Sequence, residues 1–196
     1  LSFGGINMEL MEKYGWLKDQ VKREGFAELM TWLETNTEYL KSPASYKYYG
    51  SHEGGLLEHS VSVAATMLRI KKVLAPEVSD EECVIVSLLS GCGRAGNTQM
   101  ALYTENEPTT KQKQFGYKAN PPYGVNDSIT YMNPEMRSIY LIQSCPVRFQ
   151  LSEEEISAIF MCEDPWQGQQ SAYRKNKLMT LLQMANYYSI LYLEEE

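Results

Sequence analysis

Gly54–Ala75 reads GGLLEHSVSVAATMLRIKKVLA. Leu56, Val63, Met67 and Ile70 return at helical spacing, with His59 on the same side between the first two. A proline cannot continue a helix, so Pro76 ends this one. Ser79 and Glu82 then stand at capping-box spacing, the hydroxyl and the carboxylate each taking an unpaired amide of the next helix. That helix, EECVIVSLLS at Glu81–Ser90, is apolar nearly all round, which predicts a central, buried position. It runs straight into GCGRAGN, Gly91–Asn97, where glycines close the helix.

Outward from this pair, Leu10, Met11, Tyr14, Leu17 and Val21 predict a helix over Met8–Arg23, and FAELMTWLET after Gly25 predicts a second. Lys41–Glu53, rich in Ser, Tyr and Gly, reads as an ordered loop. Gly91–Asn133 loses periodicity, and a loop of that length inside a domain suggests a lid or binding flap. Within it MALYT and KQFGYK are the segments expected to form a small hairpin. Helices resume at PEMRSIYLIQSC, at a second capping box, Ser152 with Glu155, and over Ala172–Leu193. The expectation is an all-α fold with one domain over 8–196 and a loop or β-hairpin excursion around 96–133. Residues 1–7, LSFGGIN, read as a tag or disordered leader ahead of Met8.

Composition narrows the function classes. A net charge of −7 argues against a nucleic-acid backbone as the partner. No apolar run reaches the roughly 18 residues of a membrane span. Cys83, Cys92, Cys145 and Cys162 form no CxxC, which fits reduced thiols in a cytoplasmic protein better than a disulfide framework or a structural zinc site.

The string SHEGGLLEHSVSVA, the buried helix that follows and the closing LLSGCGRAGN together resemble the HD-domain phosphohydrolase superfamily, in particular its compact bacterial and prophage members. YKANPPYG, LSEEEISAI and LLQMANYYSILYLEE resemble that group's flap, a following helix and its terminal helix, so the likeness covers about Ser42–Glu195. The resemblance implies an HD-like helical bundle. It also implies a divalent metal held by the His of LEHS, the His-Asp pair and an Asp of the last helix, with further histidines in two-metal members. Such ions polarise a phosphoryl oxygen and generate hydroxide.

Carried onto this chain, the first ligand position is His59. The His-Asp pair falls on Ser90-Gly91, the Lys after it on Arg94, the final Asp on Asn186, and a later histidine on Cys162. Only His52 and His59 exist in the chain, so no realignment restores a histidine-rich site. The expectation is a pseudoenzyme with no catalytic residue, no metal and no cofactor, a zinc site on His59 and Cys162 being the alternative considered. With two carboxylates gone, the centre should be neutral to positive. His59, Ser90, Arg94, Lys47, Tyr49, Arg137 and Asn186 are then candidates for binding a nucleotide or other phosphorylated ligand, with Arg as the phosphate fork and loop tyrosines to stack on a base. A phage protein that sequesters a host signalling nucleotide would fit this pattern. The other readings are a protein-interaction module on the same scaffold, with a homo-oligomer open, and residual metal-dependent hydrolysis. More simply, His59 also suits a hydrogen-bonded core position, and Arg94 suits a helix C-terminus.

Overall fold

The computed structural model describes residues 8–163 and 176–193. Among them the chain is mostly helical: α1 Met8–Asp19, α2 Phe26–Asn36, α3 Gly55–Leu74, α4 Asp80–Ser90, α5 Thr110–Gln114, α6 Pro134–Ser144, α7 Glu153–Phe160 and α8 Lys177–Tyr188. A 3-10 turn, Cys92–Ala95, follows α4, and a π turn, Ser189–Leu193, extends α8. The start expected for the last helix, from Ala172, lies outside the described residues.

The α3–α4 pair is the centre of the molecule. α3 packs against α4, α8 and α1, while α4 also meets α7 and α8. Every α4 residue from Cys83 to Ser90 is buried, as its all-round apolar pattern requires. Its capping box forms as read, with Ser79 and Glu82 satisfying each other's amides, and Ser152 with Glu155 does the same for α7. The double glycine ahead of α3 is sterically dictated: Gly54 sits at φ +82°, and a Cβ on Gly55 would stand 2.0 Å from the Gly50 carbonyl oxygen.

Two expectations change. α1 stops at Asp19 rather than Arg23, because the amides of Lys22 and Arg23 turn to Glu81 Oε1 at 2.6 and 2.8 Å. The first turn of α4 thus takes amides that would otherwise have extended α1. The excursion does contain an antiparallel hairpin, but its strands are β1 Tyr103–Glu105 and β2 Tyr123–Val125, with Tyr103 opposite Val125. KQFGYK is not a strand. Thr109 and Gln112 form a capping box that starts α5, which takes in that segment's first two residues, and Gly116 at φ +71° turns the chain in its middle.

α6 docks on the turn that follows α4. The Ser138 hydroxyl donates to the Ser90 carbonyl at 2.9 Å and accepts from the Gly93 amide at 2.8 Å. A Cβ on Gly93 would lie 2.0 Å from the Pro134 carbonyl oxygen and 2.6 Å from the Ser138 nitrogen, so this approach needs glycine. All four cysteines are free and buried. Gly93→Ala should therefore force α6 off the turn and destabilise the protein by about 3 kcal/mol, read as a lowered urea midpoint.

Candidate functional site

α3 and α8 meet through a polar pair in an otherwise apolar contact. His59 and Asn186 are both buried, with His59 Nε2 2.8 Å from Asn186 Oδ1. An amide oxygen only accepts, so this contact places the imidazole proton on Nε2. The Tyr49 ring, from the loop before α3, lies on His59 with centroids 5.0 Å apart. Its hydroxyl donates to Glu163 Oε1 at 3.1 Å. The same oxygen accepts from Arg94 Nη2, and Glu135 Oε1 stands 3.8 Å from that nitrogen.

Arg94 is the axis of this cluster. Its side chain is 7% exposed, although it belongs to a short turn. The guanidinium lies beside Gly91, where a Cβ would make only ordinary contact with Arg94 Nη1 at 3.6 Å but would press on Leu56 Cδ1 at 3.0 Å. The backbone is fixed as well, since the Ser42 hydroxyl donates to the Arg94 carbonyl at 2.9 Å. Tyr103, from β1, completes the surroundings: burial pushes its hydroxyl up, and the nearby Arg94 charge pulls the other way.

The two carboxylates behave differently. Burial pushes the Glu135 carboxyl above the ordinary range, and the opposing pull of Arg94 does not offset it. Burial acts the same way on Glu163. There Arg94 and the Tyr49 hydroxyl outweigh it, and the carboxyl is held below the ordinary range. Ser90 Oγ donates to the Ser87 carbonyl at 3.3 Å and reaches the Cys162 thiol, which burial pushes up to about 12.

The structure therefore gathers His59, Asn186, Tyr49, Ser90 and Arg94, but not every expected residue. Lys47 is exposed, with Nζ over the Tyr48 ring at 5.5 Å. Arg137 is buried elsewhere and donates from Nη2 to the Thr130 carbonyl at 2.6 Å, holding the end of the excursion onto α6. The centre also holds two carboxyl groups beside Arg94: Glu163 balances the guanidinium charge, and burial favours the protonated form of Glu135. Sequence reasoning missed both. The available signal was Arg94 itself, since an arginine at the end of an all-buried helix needs an acidic partner.

These donors do not suit a hard divalent cation. His59 Nε2 is committed to Asn186, the Cys162 thiol keeps its proton, and Glu163 and Glu135 face a guanidinium. Among the described residues, no group of three or more His, Cys, Asp or Glu side chains is arranged to hold a metal ion, and no helix is long and apolar enough to cross a membrane. No protein-family model, no curated protein and no solved structure matches the chain.

Arg94→Met should strand Glu135 and Glu163 without their cation and cost about 3 kcal/mol in chemical denaturation. Adding Glu135→Gln and Glu163→Gln to that variant should recover most of the loss. Because the folded-state pKa of Glu135 is raised, its contribution to stability is fullest below the ordinary carboxyl range and is lost as pH rises through the raised value. Glu135→Gln should thus gain on the wild type as pH rises above the ordinary carboxyl range, compared as urea midpoints at acid and neutral pH.

Proposed function

We propose that this chain is a degenerate relative of the HD-domain phosphohydrolases that binds a phosphorylated small molecule, a nucleotide being the leading case, without hydrolysing it. The observation that carries the reading is the buried Arg94 guanidinium behind a Glu163 side chain that is 39% exposed, with the Tyr49 hydroxyl beside it. A fixed guanidinium in a low-dielectric setting is a strong receptor for phosphoryl oxygens, and its planar fork favours two-point contact. The HD resemblance supports the reading, because it aligns His59 and Asn186 with metal-ligand positions and Arg94 with the lysine that follows the His-Asp pair. Here an internal cation stands in that region. A signalling nucleotide held this way is sequestered rather than consumed.

A protein-interaction module is the second reading, favoured by one observation. Met184, Tyr187, Tyr188, Leu191, Tyr192 and Leu193 of α8 and its π turn are 41–66% exposed, an unusual concentration of large apolar side chains.

Thermal unfolding with a panel of mononucleotides and cyclic di- and trinucleotides separates the two. The binding reading expects a concentration-dependent rise in Tm for at least one compound, about 2.7 kcal/mol of stabilisation at a hundredfold excess over Kd. That rise should be absent in Arg94→Met, and no phosphate should be released with or without added manganese. A flat panel together with a stable complex in pull-down favours the interaction module. Metal-dependent phosphate release would overturn the non-catalytic assignment.

A further inference from the structure

Glu163 occupies the position at which an incoming anion would be most strongly held. Arg94 Nη2 and the Tyr49 hydroxyl both donate to the same oxygen, Glu163 Oε1. Two donors from separate segments converging on one oxygen form a seat for an oxyanion. Resting on the phosphoryl-binding reading above, we propose that the Glu163 carboxylate is an internal substitute for the ligand's phosphoryl group, and that binding proceeds by displacing it from Arg94 and Tyr49.

The two sides of the contact differ in how firmly they are built. Arg94 is held by the turn after α4, by Ser42 on its carbonyl, and by the neighbouring Gly93 locked under α6. Tyr49 is oriented by its ring contact with His59, which is itself fixed to Asn186. Among the described residues, the Glu163 side chain is held by Tyr49 and Arg94. It lies three residues beyond the end of α7, and its side chain is 39% exposed while that of Arg94 is 7% exposed. Swinging the carboxylate out into water gives up the Arg94 and Tyr49 contacts but returns a desolvated anion to solvent, whereas moving the guanidinium would open the core.

The charge balance favours the exchange. A phosphate monoester carries about −1.5 to −2 near neutral pH, more than the single charge of the carboxylate it replaces. Glu135 can accommodate the excess. Its Oε1 is buried without a hydrogen-bond partner, its side chain is 10% exposed, and burial favours its protonated form. A protonated Glu135, whose proton the neighbouring Glu163 carboxylate now favours, can donate instead to a phosphoryl oxygen seated on Arg94. The internal anion also sets the affinity, because only the fraction of molecules with Glu163 displaced is competent to bind.

The test uses the wild type, Glu163→Gln, and Glu163→Gln combined with Arg94→Met, each titrated with inorganic phosphate and with AMP by calorimetry at fixed ionic strength. Removing the competing charge should tighten phosphate and AMP binding by about tenfold in Glu163→Gln, and the added Arg94→Met should abolish it. A side-chain carboxyl carbon resonance assigned to Glu163 in the wild type should also move toward that of an exposed glutamate as phosphate is added. This readout holds even if the variants unfold. Equal or weaker binding in Glu163→Gln, or a Glu163 resonance unmoved at saturation, overturns the displacement while leaving the phosphoryl-binding reading intact. If neither the wild type nor Glu163→Gln binds phosphate, AMP or any nucleotide of the panel, the phosphoryl reading falls and the displacement with it.

Discussion

A guanidinium cannot be buried alone, and the arrangement around residues 90–94 follows from that constraint. Arg94 lies inside the protein with Glu163 and Glu135 against it and Tyr49 and Tyr103 at its edge. Taking these charges out of water costs several kcal/mol per ion, so the cluster is weak evidence of net stability. Its effect is on placement. It fixes which face of the turn after α4 points inward, and it ties the end of α7 and the start of α6 to one residue. The buried His59–Asn186 pair does the same between α3 and α8.

The helical frame was legible because its signals are local. Apolar spacing located α3, and both capping boxes formed at the residues read from the sequence. The hairpin failed at its second strand for a reason that is also local. Thr109 with Gln112 is a helix-start signal, and it sits directly ahead of the aromatic residues that suggested a strand. The end of α1 was a different case. Nothing near Arg23 announces that Glu81, 58 residues on, will accept its amide.

The candidate site divides along the same line. His59, Ser90 and Arg94 could be placed from motif-like strings, whereas the counterions of Arg94 could not. Glu135 follows a proline at the start of α6 and looks like an ordinary first-turn acid; Glu163 lies 69 residues beyond Arg94. Long-range electrostatic pairing leaves no periodic trace. Counting the carboxylates lost at Gly91 and Asn186 accordingly says nothing about the acidic groups supplied by Glu135 and Glu163.

One turn of α6 fastens both ends of the central excursion. Ser138 grips the Ser90 carbonyl and the Gly93 amide where the chain departs, and Arg137 grips the Thr130 carbonyl where it returns. Adjacent residues therefore close the segment like a drawstring, and whatever lies between them is a loop whose span is already settled. Lengthening such a loop is cheap, about 0.6 kcal/mol for each doubling. The exposed connection between β1 and β2 can thus change in length at little cost, while Leu102 and Ile129 stay buried and Tyr103 stays beside Arg94.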